Sequence, residues 1–144
     1  MKYCCNCALS GVFLQWWLLN NFLKEIAMKY LLLCQYQPAA FADVPKEAEA
    51  QMMEAMMSYN HQLIQAGVLV AAGQLAPPET AQRVFSSKGH IKTQDGPALA
   101  GDTQIGGYYL VDVPSEAEAI GWAAKCPAAQ FGALEVRQVA FSPL

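Results

Sequence analysis

The sequence predicts an α+β fold of the ferredoxin-like type, with the element order βαββαβ and a hairpin inserted after the second strand. Three observations support this prediction. Four apolar segments have the length of strands, two segments have the spacing of amphipathic helices, and these helices follow the first and the third strand. The sequence contains no internal repeat and no low-complexity tract, so the elements form a single predicted unit.

Residues 29–36 (KYLLLCQY) form the first predicted strand, and their apolar side chains occupy both alternating faces. This pattern is typical of a central strand that is covered on two sides. Pro45 at the start and Glu47 in the first turn then predict a long helix that ends before Gly67. Its apolar stripe repeats at helical spacing and comprises Met52, Met56, Tyr59 and Leu63, widened by Met53, Met57 and Ile64.

The remaining strands follow from apolar runs bounded by turn residues. Residues 68–75 (VLVAAGQL) predict a second central strand, and residues 82–86 and 90–94 predict a short solvated hairpin around a Ser-Lys-Gly turn. Residues 107–113 (GYYLVDV) predict the third main strand. Residues 133–141 predict the last one, with apolar and charged side chains on opposite faces.

A capping box precedes the second helix, because Ser115 is followed three residues later by Glu118. The predicted helix runs to about Lys125, and Pro127 stops it. The residues that we expect it to bury are Ile120, Ala123 and Ala124.

Charge and composition exclude several classes of function. The chain has 144 residues, enough for one domain with a core, and nine basic against twelve acidic residues give a net charge of −3. The basic residues are scattered, whereas a nucleic-acid-binding protein needs a basic face that neutralises phosphates. We therefore predict no nucleic-acid partner. No dinucleotide-binding fingerprint, P-loop or GxSxG motif occurs, and we predict no cofactor.

The cysteines indicate a reducing compartment. Three of the five, Cys4, Cys5 and Cys7, lie in the first seven residues, whereas Cys34 and Cys126 lie singly in apolar segments. An odd count with buried thiols is more typical of a cytoplasmic protein than of a disulfide framework. Both histidines are distant in sequence from any cysteine pair. We therefore predict a cytoplasmic protein without a metal site.

Residues 1–27 differ from the rest of the chain, and we predict that they are an N-terminal extension outside the fold, with the domain at residues 28–144. Their apolar run of 12 residues is shorter than the roughly 20 that cross a bilayer. Two other interpretations stay open. One is a secretory signal, and the other is an amphipathic helix that rests on a membrane or on the domain through Trp16, Trp17 and Phe22.

The apolar pattern also predicts a homodimer. Two helices cover one face of a four-stranded sheet, yet residues 29–36 and 68–75 are apolar on both faces. Leaving several such side chains in water forfeits several kcal/mol at ~25 cal/mol per Å². Glu135 and Arg137 share the face that a partner would cover, and burying their charges requires pairing or water. We therefore expect a partly polar cavity between the sheet and a second copy.

Four side chains are candidates for ligand binding in that cavity. Tyr108 carries a hydroxyl, and Arg83, Glu135 and Arg137 are charged, so together they suit an anionic or hydroxylated ligand. An ion pair between Glu135 and Arg137 within the dimer interface explains these two residues equally well.

Asp95, Gly96 and Pro97 form a turn signature before a Gly-rich loop. Asp95 can hydrogen-bond its own backbone, Gly96 can take a positive φ, and Pro97 fixes φ. A structural turn explains the three residues, and we also keep Asp95 as a catalytic candidate and the other two as ligand contacts. Gly106 and Gly107 end the loop and allow close approach by a neighbouring strand or by a ligand.

Two residue types that often act in catalysis are not predicted to do so here. Nothing in the sequence orients His61 or His90 toward a reacting group. Cys126 precedes Pro127 at the C-terminus of a predicted helix, where the helix dipole disfavours a thiolate. We therefore expect no nucleophilic role for this cysteine.

Several segments taken together resemble the YCII-related family, in particular its DGPF subgroup. They follow the family's order over residues 28–140 and read MKYLLLCQY from Met28, QAGVLVAAGQLAPP from Gln65, TQDGP from Thr93, IGGYYLVDVPSEAEAIGWAAKCPAA from Ile105 and GALEVRQV from Gly132. Nothing in the family's pattern matches residues 1–27.

The resemblance implies a dimeric α+β barrel in which a small homodimeric protein binds a cyclic or aromatic organic acid between sheet and partner. Lyase or isomerase chemistry is the most concrete reaction that it suggests. The alternative is a non-enzymatic dimeric module with a regulatory or assembly role. Residues 98–103 lack the aromatic and most of the charges that follow DGP in the subgroup, and Met56 and Cys126 stand where wider relatives carry a His and an Asp. These departures leave open whether the chain is an enzyme.

Overall fold

A four-stranded antiparallel sheet with two helices packed on one face organises the molecule. The structure is a computed structural model that describes residues 28–99 and 101–142, so the predicted extension at residues 1–27 lies outside the described residues. The helices and strands are β1 (Met28–Tyr36), α1 (Lys46–Gln65), β2 (Leu69–Gln74), β3 (Gln82–Ser87), β4 (His90–Asp95), β5 (Gln104–Val113), α2 (Glu116–Lys125) and β6 (Gly132–Gln138). Three short 3₁₀ helices lie at Pro38–Phe41, Pro78–Thr80 and Pro127–Gln130.

The strand order identifies the arrangement. The main sheet has the order β2-β5-β1-β6, and each neighbouring pair is antiparallel. The first and third main strands, β1 and β5, therefore lie in the centre, as the ferredoxin-like order requires. Strands β3 and β4 form a separate two-stranded hairpin. The predicted α+β fold with an inserted hairpin is confirmed.

The core lies between the sheet and the two helices. Successive side chains of a strand point to opposite faces, so every second residue of β1 and β5 faces the helices. The buried apolar residues are Tyr30, Leu32, Cys34, Tyr109, Val111 and Val113 from the strands and Tyr59, Leu63, Ala119, Ala123 and Cys126 from the helical side. The residues between them on β1 and β5 consequently face away from the helices.

Two tyrosines bring hydroxyl groups into this core, and both hydroxyls are satisfied. The Tyr59 hydroxyl donates to the Trp122 carbonyl oxygen at 2.9 Å, which ties α1 to α2. The Tyr109 hydroxyl donates to Asn60 Oδ1 at 2.8 Å, which ties β5 to α1. The two rings also meet edge to face, with centroids 5.3 Å apart. Burying these polar groups therefore costs little, because each finds an acceptor.

The helix ends follow their sequence signals. The Glu118 backbone N–H donates to Ser115 Oγ at 3.2 Å, which confirms the predicted cap of α2. Helix α1 ends at Gln65, and Gly67 adopts a φ of +69°, the left-handed conformation that terminates many helices.

The predicted burial pattern is wrong at the margins of both helices. In α2, Ala119 and Ala123 are buried, whereas Ile120 is 51% exposed and Ala124 is exposed. The helix is rotated so that positions 119, 122, 123 and 126 face the sheet, which small alanines allow because they let the helix approach closely. In α1, Met53, Met57 and Ile64 are exposed and do not widen the core stripe.

Two strand ends also differ from the prediction. Strand β5 begins at Gln104, before the expected start at Gly107, because Gln104 pairs with Tyr36 of β1. Strand β6 ends at Gln138 rather than at residue 141, because its register with β1 ends at the Tyr30–Gln138 pair. The pairing of β2 with β5 contains a bulge between Leu69 and Ala71, which leaves Val70 without a cross-strand partner.

Two adjacent residues of α1 provide a direct test of the core. We expect Leu63→Ala to lower the free energy of unfolding by about 2–5 kcal/mol, because Leu63 is fully buried and its truncation leaves a cavity. The matched control, Ile64→Ala, removes a side chain that is 61% exposed and should change stability by about 0.5 kcal/mol or less. Urea unfolding of both variants measures this. Equal losses would contradict the assigned helix phase.

Candidate functional site

The sheet face opposite the helices, called the open face below, carries an apolar centre. Cross-strand pairing sets Leu33 beside Tyr108 on β5, and it sets Leu31 beside Leu110. These four side chains alternate with the core residues, so they share the face that the helices do not cover. All four are half-buried within the single chain. The Tyr108 ring lies so close to Gly73 of β2 that a Cβ at this glycine would meet the ring Cε1 at 2.9 Å.

An ion pair borders this apolar centre. Glu135 and Arg137 of β6 pair in register with Leu33 and Leu31, so the structure places them on the open face as predicted. The Arg137 Nε atom contacts Glu135 Oε1, and Gln35 Nε2 donates to Glu135 Oε2 at 3.0 Å. The side chain of Arg137 is nonetheless 71% exposed. The pair therefore contributes about 1 kcal/mol or less to stability while leaving a guanidinium edge accessible to another acceptor.

Asp112 is a second polar group on the open face, and it is not among the site residues predicted from the sequence. It lies across from Lys29 of β1 and follows Tyr108 and Leu110 at alternate positions of β5. Its Oδ1 atom is buried and has no hydrogen-bond donor among residues 28–99 and 101–142. A buried carboxylate oxygen without a donor is costly, so it marks a place where a donor belongs. An acidic residue in a strand that is otherwise apolar on both faces was the available sequence signal.

The Asp-Gly-Pro segment forms a turn that closes the hairpin. Asp95 is the last residue of β4, and its Oδ1 accepts a hydrogen bond from Gln82 Nε2 at 3.3 Å. Gly96 has a φ of +95°, which a side chain would strain, and its N–H donates to the Ala81 carbonyl oxygen at 2.8 Å. These contacts account for the turn residues structurally, and a catalytic role for Asp95 stays a prediction.

Pro97 lies at a cleft near the end of β1 and the start of β5. This cleft is open to solvent, and its volume is about 330 Å³. Its lining residues are Pro38, Ala39, Pro78, Glu79, Pro97, Gly101, Asp102 and Gln104. Gln104 is itself buried, and its Nε2 donates to the carbonyl oxygens of Leu99 and Gly101, so it holds one wall of the cleft in place.

The predicted ligand-binding residues are divided between two sheets. Arg83 lies on β3 of the hairpin, and its Nε atom is buried without an acceptor in the part of the chain that the structure describes. Gly96 and Pro97 follow the same hairpin. Tyr108, Glu135 and Arg137 lie together on the main sheet.

The glycine pair after the loop serves strand packing. A Cβ on Gly107 would lie 2.8 Å from the Gly73 carbonyl oxygen of β2, and a Cβ on Gly106 would lie 2.8 Å from Cδ1 of Tyr36. Both distances are shorter than real Cβ contacts, so neighbouring groups occupy the space on each side. The close approach that the two glycines allow is therefore made by adjacent strands.

A pair of thiols lies on the helix side of the sheet. Cys34 of β1 and Cys126 at the end of α2 are both buried, and they belong to the same apolar core cluster. The hydrogen bond from Cys34 holds the pKa of Cys126 at about 7, below its ordinary 9.0; burial opposes this effect, and the backbone N–H of Ala128 reinforces it. Hydrogen bonding to Cys126, together with burial, raises the pKa of Cys34 far above its ordinary value.

The predicted effect of the helix dipole considers only one helix end, and the expectation that Cys126 has no nucleophilic role stays a prediction. Cys126 caps the C-terminus of α2, but it also stands at the N-cap of the 3₁₀ helix Pro127–Gln130, without a side-chain hydrogen bond there. Pro127 stops α2 and is equally a helix-start signal. The partner thiol comes from β1, so no local sequence pattern could have indicated it.

Two classes of site find no support among the described residues. No group of three or more His, Cys, Asp or Glu side chains there could hold a metal ion. None of the helices in residues 28–99 and 101–142 has both the length and the apolar character to cross a membrane. His61 and His90 are both exposed.

Comparison with known proteins identifies relatives of the whole folded region. The profile of the YCII-related domain matches residues 28–141. An uncharacterized protein of Rhizobium meliloti (strain 1021) is 29% identical over 115 residues, which cover 78% of this chain and 93% of the relative. The family match begins where β1 begins, so it coincides with the first residue that the structure describes.

The thiol pair makes stability depend on pH in a defined direction. Between pH 7 and 8 the unfolded chain keeps most of both thiols protonated, because their ordinary pKa is 9.0, whereas the folded chain has largely released the Cys126 proton. The unfolded state then binds more protons, so stability rises with pH across this window. Burial raises the pKa values of the nearby Tyr59 and Tyr109 well above their ordinary range, so neither tyrosine titrates there.

We therefore expect the free energy of unfolding of the wild-type protein to rise from pH 7 to pH 8 relative to that of Cys126→Ala. In that variant the remaining Cys34 stays protonated in both states over this window, so its stability should be nearly flat. Urea titrations in the presence of a reductant measure the difference. A wild-type curve that runs parallel to that of Cys126→Ala would contradict the lowered pKa.

Proposed function

This chain belongs to the YCII-related family, and we propose that it is a homodimer that binds a small cyclic or aromatic organic acid between the open face and the partner subunit. The observation that carries the proposal is the apolar centre of the open face, formed by Leu31, Leu33, Tyr108 and Leu110. A second copy supplies the layer that the chain's own helices do not provide. The ligand occupies the part of the cavity beside Glu135 and Arg137, because these charged side chains keep the two subunits from packing tightly there.

The apolar centre supports the dimer. Its four residues are large aliphatic or aromatic side chains on the two central strands of the sheet. Covering them with a like surface recovers about 25 cal/mol for each Å² of apolar area removed from water. A two-fold axis places the same patch on both subunits, so one apolar surface completes the other.

The polar border supports an acidic ligand. Arg137 engages Glu135 through Nε, so the remaining guanidinium N–H groups can bind a carboxylate on the ligand. Asp112 has an oxygen that lacks a donor among the described residues, and a ligand hydroxyl or a partner group would satisfy it. Apolar walls with a few convergent polar groups are what a small-molecule site requires.

Lyase or isomerase chemistry is the reaction type that fits these groups. Such reactions of organic acids begin with transfer of a proton to or from the substrate, and a carboxylate held near the substrate performs that step. Asp112 supplies a carboxylate on the open face, and its Oδ1 accepts no hydrogen bond from the described residues. In this proposal Arg137 holds the substrate acid, and Asp112 transfers the proton.

The dimer is tested by placing a charge at its centre. We expect the full-length protein to sediment as a dimer at micromolar concentration and Leu33→Glu to sediment as a monomer, because an unpaired buried charge is strongly unfavourable. Met57→Glu is the matched control, since Met57 lies on the exposed side of α1 and the variant should remain dimeric. Analytical ultracentrifugation measures all three. A monomeric wild-type protein would refute the proposed interface.

Ligand binding is tested separately with a thermal-shift screen of cyclic and aromatic organic acids. An acid present at 100 times its Kd stabilises the folded protein by about 2.7 kcal/mol, which raises the melting temperature by several degrees. Arg137→Ala should lose this response, whereas Lys92→Ala, which removes an exposed cation from the hairpin, should keep it. If no acid stabilises the wild-type protein, the ligand is not of this class.

A non-enzymatic dimer is the second candidate, and the Glu135–Arg137 contact favours it. These side chains already satisfy each other, with Gln35 as a third member of the network. In this case their role is to fix the register of the interface rather than to bind a ligand. The two candidates are distinguished by the same measurements, because in this case no acid stabilises the wild-type protein and Arg137→Ala weakens the dimer.

A further inference from the structure

The cleft near the end of β1 and the start of β5 is separate from the open face. The described residues that line it include none of those that form the apolar centre or the charged border of that face. We propose that this cleft binds a small organic cation, in which an ammonium or guanidinium group is carried on an apolar body. The proposal does not depend on the proposed function, because it concerns other residues and a ligand of opposite charge.

The charged side chains that line the cleft among the described residues are both acidic. Glu79 lies in the 3₁₀ helix Pro78–Thr80 after β2, and Asp102 lies in the loop before β5, so two separate segments each supply a carboxylate. Both residues are exposed, and no described lysine, arginine or histidine lines the cleft. Two carboxylates attract a positively charged ligand and repel an anion.

A buried amide supplies a further acceptor that is independent of the two carboxylates. Gln104 is only 8% exposed, and its Nε2 donates to the carbonyl oxygen of Gly101 at 2.9 Å and to that of Leu99 at 3.2 Å. These contacts use both N–H groups and fix the orientation of the amide, because the flipped amide would turn its oxygen toward two carbonyl oxygens. Oε1 accepts no hydrogen bond from the described residues, so it is the polar atom that Gln104 presents to the cleft.

The side chains of the described residues at the cleft therefore offer acceptors and no donors. The carboxylates of Glu79 and Asp102 only accept, and the N–H groups of Gln104 are already used within the protein. An ammonium or guanidinium group has several donors and no acceptor. Hydrogen bonds between such a group and a carboxylate are charge-assisted and therefore among the stronger ones. The lining thus selects an organic cation rather than an acid.

Proline rings form the apolar part of the cleft. Pro38 and Pro78 each begin a 3₁₀ helix, and Pro97 follows the turn at Gly96, so the three rings come from three different loops. Proline has a fixed φ and no backbone N–H, so these rings are rigid and donate no hydrogen bond. They provide a surface for the hydrocarbon part of a ligand, and the volume of about 330 Å³ admits a small molecule.

The loop that carries Asp102 is anchored next to the cleft. Gly101 has a φ of +127°, a conformation that a side chain would strain, and its carbonyl oxygen accepts the shorter of the two bonds from Gln104. A ligand that binds Asp102 therefore has less loop to order, which lowers the entropic cost of binding.

The test uses three compounds with the same aromatic body and different charge, which are benzylamine, benzyl alcohol and benzoate. In ¹H–¹⁵N NMR spectra of the full-length protein at neutral pH, benzylamine should shift the Asp102 backbone signal and the Gln104 side-chain amide signals saturably. Benzyl alcohol and benzoate should leave these signals unchanged. Benzoate tests the proposed function separately, because its binding would shift signals of the open face, such as those of Leu33 and Tyr108. No response to benzylamine up to about 10 mM, or an equal response to benzyl alcohol, would overturn the cation site.

Isosteric variants test the two carboxylates. Glu79→Gln and Asp102→Asn each remove one charge without changing the shape of the side chain, so each should weaken benzylamine binding at least about threefold and the double variant at least about tenfold. Glu54→Gln is the matched control, because it removes an exposed carboxylate from α1 and should leave the affinity unchanged. An unchanged affinity in the double variant would contradict the proposal. So would the same shifts with magnesium chloride, since a metal ion makes no use of the proline rings.

Discussion

The structure depends on one constraint, which is that the central strand β1 is apolar on both faces and must be covered twice. Tyr30, Leu32 and Cys34 face the helices, and Leu31 and Leu33 alternate with them toward the open face. The two helices cover the first of these two faces completely. Because the chain has no further helix of comparable length in residues 28–99 and 101–142, the second requirement leads to a covering layer from elsewhere. The proposed homodimer and its ligand site both follow from this need.

The two sides of the sheet treat polar groups differently. On the helix side the hydroxyls of Tyr59 and Tyr109 both have acceptors, so the core is closed and complete within one chain. On the open face, Asp112 keeps a buried oxygen without a donor among the described residues. In the part of the chain that the structure describes, the other such side-chain atom is Arg83 Nε, which lies on the hairpin and not on the main sheet. The open face is therefore the side of the main sheet on which a buried polar atom lacks a partner among the described residues.

The sequence was sufficient for the element order because the signals involved are local. Hydrophobic period, the Ser115 cap and Gly67 each act within a few residues, and all of them appear in the structure. The phase of α2 was not predictable, because an Ala-rich helix has only a weakly marked apolar side and its orientation is decided by contact with the sheet. The buried Ala119 and exposed Ile120 show that close packing outweighed the preference of the larger side chain for the interior.

The candidate sites were predictable only where strand alternation decides the face. Alternation placed Glu135 and Arg137 on the open face correctly, but their mutual contact depends on rotamers that no pattern specifies. Arg83 and Tyr108 were grouped by chemistry, yet they lie on different sheets. The thiol pair joins residues far apart in the chain, so it could be recognised only after the fold brought β1 and the end of α2 together.

The bulge between Leu69 and Ala71 has a consequence for how copies of this protein associate. β2 is an edge strand, and edges with regular unpaired backbone groups recruit further strands from other molecules. The extra residue breaks the spacing of those groups and twists the strand, so an incoming strand cannot continue the ladder along this side. Lateral growth into long fibrils is therefore discouraged at β2.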